Sequence, residues 1–116
     1  MLFISAFFVG IAYANDNRKA FSTEKEKAIN LLVYDERTVD ALRIFTSEIH
    51  ISSNKKDFSE TADNMCRIAE CIFLLKKFTA LDTVLKKCEA FTKQYNYDAY
   101  LKLKIIEGKY LIEKGK

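Results

Sequence analysis

Residues 65–91 read MCRIAECIFLLKKFTALDTVLKKCEAF, and this stretch decides the fold. Apolar residues recur every three or four positions before KKF, and the same spacing resumes after it. The two stripes are Ala62, Met65, Ile68 (or Ala69), Ile72 and Leu75, then Leu81, Val84, Leu85, Cys88 and Phe91. Two amphipathic stretches joined by so short a break predict antiparallel helices packed as a hairpin.

The pattern extends in both directions to about five helices. Thr23-x-x-Glu26 and Asp57-x-x-Glu60 are capping-box patterns, which mark helix starts. The segment SSNKKD at 52–57 is the clearest loop. The predicted helices cover about 23–34, 37–50, 58–76, 79–94 and 98–114. Since no stretch alternates with period two, we predict an all-α chain.

Two of these helices have candidate packing faces that the structure must test. In the second helix the face is Val39, Leu42, Phe45 and Ile49. In the fifth helix it is Leu101, Ile105, Gly108 and Ile112.

Length and composition indicate one globular domain. The 116 residues are 49% hydrophobic and 30% charged, which excludes a disordered chain, and the absence of proline suits long helices. The net charge of +3 is too small to indicate nucleic acid binding. The C-terminal third is nevertheless basic, and Lys102 and Lys109 share one helix face there.

The first fourteen residues differ from the rest, because they carry no charge and end in Ala12-Tyr13-Ala14. A short apolar run before a small-x-small pattern is typical of a signal peptide. We therefore predict a signal-peptide-like segment at 1–14, a linker at 15–22 and a helical domain at 23–116. The mature protein would be periplasmic or secreted, without an integral membrane span. The alternatives are an N-terminal helix buried in a cytosolic protein and an uncleaved anchor.

Small residues recur at equivalent places in the first, third and fifth helices. Ala28, Ala69 and Gly108 are separated by 41 and 39 residues, and a small side chain lets two helix backbones approach closely.

The chain resembles the tetratricopeptide repeat in the order of its small and large residues. The matching positions are Ile68-Ala69, Ile72, Phe78, Leu81, Leu85 and Cys88, then Gly108, Leu111 and Gly115. The first hairpin fits after a shift of one residue, which places Ala41 and Phe45. Leu81 replaces the usual small residue, and the spacing exceeds the family's period. The resemblance implies antiparallel hairpins stacked as a short right-handed superhelix, with Gly108 as a packing glycine and Gly115 as a turn glycine.

A second resemblance is to the helical-repeat arm of proteasome-lid and signalosome subunits, which precedes a PCI domain. The stretches that carry it are RIAECIFLLKKF at 67–78 and LKIIEGKYLIEKGK at 103–116. That family is cytosolic or nuclear and longer, so the apolar N-terminus argues against it.

The residues that could carry chemistry form no recognisable set. His50 is the only histidine, no acid/base pair can be placed, and no spacing fits a metal or a nucleotide, so we expect neither catalysis nor a cofactor. Cys66 and Cys88 lie twelve residues before and ten after Phe78, at similar heights of the hairpin, so a disulfide between them competes with buried free thiols. The repeat register weakens this pairing, since it puts the two cysteines on different faces.

The tetratricopeptide resemblance implies a groove that binds a partner protein or peptide, acidic if the lysines take part. By register the groove residues are Glu70, Phe73, Leu74, Lys102, Ile105, Lys109 and Ile112. We therefore expect a non-catalytic interaction or scaffold protein that binds through its third and fifth helices. A homodimer through the fifth helix is a further expectation. The alternative from a different class is a small secreted bundle that binds an apolar ligand.

Overall fold

A computed structural model describes residues 23–33 and 37–115, and these residues form five α-helices without a strand. The helices are α1 (Glu24–Val33), α2 (Thr38–Asn54), α3 (Phe58–Leu74), α4 (Phe78–Tyr95) and α5 (Tyr97–Lys114). The predicted all-α class and the number of helices are confirmed for this part of the chain. The signal-like segment at 1–14 and the linker at 15–22 lie outside the described residues.

The helix starts follow the capping patterns of the sequence. Thr23 Oγ1 accepts a hydrogen bond from the Glu26 amide at 3.0 Å, and Glu26 Oε1 accepts one from the Thr23 amide at 3.2 Å. This is a complete capping box. Asp57 Oδ1 likewise accepts from the Glu60 amide at 3.2 Å, but the Glu60 carboxylate pairs with Lys25 instead of returning to the cap.

The turns after α2 and α3 have the same geometry. Lys56 and Lys76 adopt φ of 59° and 57°, and the next amide reaches back to Ser52 O in the first turn and to Ile72 O in the second. These are Schellman motifs with lysine in the left-handed position that glycine usually fills. The predicted loop at 52–57 is therefore too long, because Ser52–Asn54 remain helical and only 55–57 form the turn.

The connection from α4 to α5 is a single residue. Asn96 is extended at φ −158° and accepts a hydrogen bond from the Ala99 amide through its side chain, which caps α5. Its Nδ2 donates to Ser59 O at 3.1 Å, at the start of α3. The N-terminal ends of α3 and α5 are thus tied together, and the two helices run parallel.

Packing joins each described helix to its sequence neighbours, and α3 also to α5. The first core contains Ala28 and Leu32 of α1, Ala41 and Phe45 of α2, and Cys71 of α3. The second core is built by α3, α4 and α5, and its buried residues are Ala62, Cys66, Ala69, Leu81, Leu85, Cys88, Ala99, Leu103, Ile106 and Tyr110. Adjacent antiparallel helices with this stacking are compatible with a helical repeat.

The predicted packing face of α5 is wrong. Its buried residues are Ala99, Leu103, Ile106 and Tyr110, on the side opposite to the predicted stripe. Gly108 is exposed, and a Cβ built on it would meet nothing within 4 Å, so it does not bring two described helices together. The error has a physical cause, since α5 is apolar on both sides and its spacing alone cannot choose between them.

Two smaller assignments also change. Val39 of the predicted α2 face is 54% exposed, and the fully buried residues of that helix are Ala41 and Phe45. Gly115 does end α5, but at an ordinary φ of −77° that any residue could adopt. Ala28 and Ala69, by contrast, are fully buried as the repeat pattern predicts.

Candidate functional site

A groove between the parallel helices α3 and α5 includes several residues predicted to bind a partner. It has a volume of about 160 Å³ and is lined by Cys66, Arg67, Glu70, Lys102, Ile105, Ile106 and Lys109. Four of these, Glu70, Lys102, Ile105 and Lys109, were predicted from the sequence. They meet because the helices run in the same direction with a repeat of 39 residues between equivalent positions.

The groove is basic with an apolar floor. Arg67, Lys102 and Lys109 contribute three positive charges, against one carboxylate from Glu70. Arg67 is held by Asp63 of the same helix, with 3.4 Å between Nε and Oδ2. Ile106 is buried and Ile105 is 58% exposed, so apolar surface lies between the lysines. Such a surface favours an anionic segment that also carries apolar side chains.

The other three predicted binding residues lie outside this groove. Phe73 is half-buried and packs against the second core, with its ring centroid 6.3 Å from that of Phe78. Leu74 is the last residue of α3 and is 48% exposed. Ile112 is 67% exposed on the outer side of α5. The structure therefore does not bring all seven predicted residues into one site.

Sequence reasoning missed Arg67 and Ile106 as lining residues. Arg67 could have been found, because it lies three positions before Glu70 and thus on the same face of α3. Ile106 could not, because the packing side of α5 was misassigned.

The three cysteines are buried and free in the structure. Burial raises the pKa of Cys66 to about 11, and the carboxylates of Asp63 and Glu70 add to this shift. Burial also raises the pKa of Cys71 to about 12 and shifts that of Cys88 upwards. A thiol at the groove wall with so high a pKa is a poor nucleophile near neutral pH. The alternative of a Cys66–Cys88 disulfide is not formed here, although both residues belong to the second core.

Other chemical groups add little to the site. His50 is exposed on α2. Within 23–33 and 37–115, no three His, Cys, Asp or Glu side chains are grouped so that they could hold a metal ion. None of the helices in those ranges has both the length and the hydropathy needed to cross a membrane.

A second opening, of about 370 Å³, lies between the start of α4 and the end of α5. Its lining is Phe78, Thr79, Asp82, Thr83, Tyr110 and Lys114. Hydroxyl and charged groups dominate this lining, whereas sites for apolar ligands are mostly lined by apolar and aromatic side chains. The first groove has an apolar floor but is smaller than the roughly 300–1,000 Å³ typical of ligand pockets. Neither opening combines the size and the apolar lining that are typical of a pocket for a small apolar ligand.

Comparisons with family models, with curated proteins and with solved structures found no match for this chain.

Proposed function

We propose that this protein is a non-catalytic interaction module, built on a degenerate tetratricopeptide-like repeat, that binds an acidic segment of a partner protein in the groove between α3 and α5. The observation that supports the proposal most is the juxtaposition of Lys102 and Lys109 with Ile105 and Ile106. Cations and apolar surface side by side suit a segment that alternates carboxylates with apolar residues.

The charge of the groove is available to a ligand. Among the described residues, Arg67 has its carboxylate partner on its own helix, while no ion pair joins Lys102 or Lys109 to a carboxylate. Lys104, on the other flank of α5, is held instead by Glu107 at 2.6 Å and Glu89 at 3.5 Å. An incoming carboxylate can therefore pair with Lys102 and Lys109 with the least competition from carboxylates of the protein itself.

The test measures binding of a labelled synthetic peptide that alternates Glu with Leu, by fluorescence anisotropy at low and high salt. The Lys102→Glu/Lys109→Glu protein should bind it at least about tenfold more weakly, since rim charges set long-range attraction. The Lys86→Glu/Lys87→Glu protein is the matched control, because it changes the net charge equally on the exposed side of α4. Equal loss in both variants would mean that only net charge matters and would refute a groove site.

Export is part of the same proposal and needs its own test. The uncharged segment at 1–14 supports it. Expression of the full chain in a secreting host, followed by N-terminal sequencing of the exported protein, should give a mature chain that begins at Asn15. Retention of the intact chain in the cytosol would contradict export without affecting the groove.

A further inference from the structure

The outer face of α5 carries a row of apolar residues that no described helix covers. Leu101, Ile105 and Ile112 are 44%, 58% and 67% exposed, and Gly108 lies between them. They follow one another at intervals of four, three and four residues and therefore line one side of the helix. We call these four residues the outer stripe. Single exposed apolar residues are ordinary, but a continuous row along one helix is a mark of an interaction surface.

The outer stripe repeats a face that is covered elsewhere in the same chain. A shift of 39 residues places Ala62, Cys66, Ala69 and Phe73 of α3 on Leu101, Ile105, Gly108 and Ile112 of α5. On α3 this face is packed into the second core against α4 and α5, and Ala69 is 0% exposed. The corresponding small residue of α1, Ala28, is also fully buried, together with Ala41 and Phe45 of α2.

Each odd-numbered helix thus presents the same face to a following helix, except that α5 has no described helix on it. The space next to Gly108 is open, whereas the equivalent residues Ala28 and Ala69 are fully buried in the two cores. The interface that would form on α5 is therefore continuous in register with two interfaces already present in the fold.

The charges beside the outer stripe help to decide whether a second copy of this chain or a helix of another protein covers it. Lys102 and Lys109 each follow a stripe residue by one position and flank it on the groove side. A second copy docked antiparallel by the same face would bring its own Lys102 and Lys109 to that flank, because a two-fold contact pairs like surfaces. A parallel copy would bring Lys104 there. The antiparallel arrangement places lysines near lysines, and the parallel one brings an ammonium group that is already paired with Glu107 and Glu89. A helix with carboxylates along one edge complements Lys102 and Lys109 instead.

We propose that the outer stripe is the seat of an amphipathic helix of a partner protein, whose apolar side packs over Gly108 and whose acidic edge meets Lys102 and Lys109. This proposal rests on the proposed function in taking a protein as ligand and in using Lys102 and Lys109 as the cations that meet its carboxylates. The seat adjoins the α3–α5 groove and shares Lys102, Ile105 and Lys109 with it, but Gly108 does not line the groove.

The test uses the full chain and a displayed library of 18-residue helical peptides with randomised apolar and charged positions. Selected peptides should be acidic and carry apolar residues at helical spacing. Their affinities are then measured for the wild type, Gly108→Ala and Gly108→Gln. Gln has a good helix propensity but fills the seat, so it should weaken binding by at least about tenfold, as overpacking of a close contact does. Ala should change the affinity by less than about threefold, because Ala28 and Ala69 occupy the equivalent positions in packed interfaces.

Several results would overturn the proposal. One is a failure to select acidic helical binders, and another is equal binding to wild type and Gly108→Gln. A dimer in analytical ultracentrifugation that Gly108→Gln converts to monomer would assign the seat to a second copy. Tighter peptide binding after Phe7→Asp and Phe8→Asp in the full chain would assign it to the N-terminal segment. The groove peptide serves as a separate readout: if it still binds Gly108→Gln, the groove is intact whatever the outcome at the seat.

Discussion

The ammonium group of Lys25 on α1 donates a hydrogen bond to Asp63 on α3, across 38 positions of the chain. The same group donates to Glu60 at 2.7 Å, and the Lys25 and Asp63 side chains are only 17% and 18% exposed. Burial opposes the charge of Lys25, but the bonds to Asp63 and Glu60 outweigh it and raise its pKa. Burial likewise opposes the charge of Asp63, but Lys25 keeps the pKa of that carboxyl below its usual value.

We expect Lys25→Met to lower the free energy of unfolding by about 1–2 kcal/mol at pH 7, because it removes the donor of Glu60 and leaves the part-buried Asp63 with Arg67 alone. Urea denaturation measures the change. Because the pKa of Lys25 is raised, its contribution to the free energy of unfolding is complete below about pH 10 and is lost above it. Because the pKa of Asp63 is lowered, its contribution is complete above about pH 4 and is lost below it. The difference between variant and wild type should therefore be largest between these limits. Lys27→Met is the control and should cost less than about 0.5 kcal/mol, since Lys27 is 52% exposed.

The protein should become more stable when the charge of Glu48 on α2 is removed. Burial raises the pKa of this carboxyl, and the nearby carboxylates of Glu60 and Glu24 raise it further. The fold therefore favours the protonated form, and stability is lost as the pH rises from the usual carboxyl pKa through the raised one. We expect Glu48→Gln to raise the free energy of unfolding by a few tenths of a kcal/mol at pH 7, allowing for solvent screening. Near pH 3 the two proteins should be equally stable, and a gain of the same size there would contradict the electrostatic cause.

The lysines in the two Schellman turns should be replaceable by glycine with a gain in stability. Lys56 and Lys76 sit in the left-handed region, which costs a side chain about 1–2 kcal/mol. We expect Lys56→Gly and Lys76→Gly each to stabilise the protein by about 0.5–1 kcal/mol in thermal unfolding, part of the gain being offset by the freer unfolded chain. Lys55→Gly is the comparison, since Lys55 has φ −86° and should lose stability. Equal effects of all three changes would argue against strain at the turns.

Replacing Asn64 on α3 by an apolar residue of similar size should stabilise the protein. Its side chain is fully buried, and neither Nδ2 nor Oδ1 has a hydrogen-bond partner among the residues that the structure describes. A buried amide without partners costs about 1–3 kcal/mol, so we expect Asn64→Leu to raise the unfolding free energy by about 1–2 kcal/mol. Asn64→Asp should lower it, because it buries a charge. A loss of stability in Asn64→Leu would show that the amide is needed.

The three thiols should resist modification in the folded protein. With pKa values raised by burial, to about 11 for Cys66 and about 12 for Cys71, the reactive thiolate is scarce at pH 8. We expect a colorimetric thiol reagent to react slowly with the native protein. In denaturant it should react rapidly and detect three thiols. Non-reducing mass spectrometry of the exported protein distinguishes the alternative. A mass lower by two hydrogens would establish the disulfide that competes with this prediction.

The local features of the fold could be predicted because they depend on neighbours in sequence. The capping residues Thr23 and Asp57 act within one turn of helix, and both mark helix starts in the structure. The turn at 55–57 was overestimated, because Ser52 looks like a loop residue. Its hydroxyl is in fact buried and hydrogen-bonded to that of Thr61 at 2.8 Å, a contact between helices that composition does not reveal.

The candidate site was predictable only as far as the repeat register holds. Register placed Glu70, Lys102, Ile105 and Lys109 beside one another, and the parallel packing of α3 and α5 brings them together. The register gave the wrong position for Phe73, because its ring packs against that of Phe78 on the next helix and not in the groove. It also misled at Gly108, since a small residue marks a place for close packing without telling whether that place is filled.

The third helix is the only described helix that contributes to both cores, through Cys71 to the first and through Cys66 and Ala69 to the second. A disturbance in the first hairpin therefore reaches the far end of the molecule mainly through this helix. The same helix forms one wall of the basic groove. We therefore expect changes in the packing of α1 and α2 against α3 to alter the width of the groove.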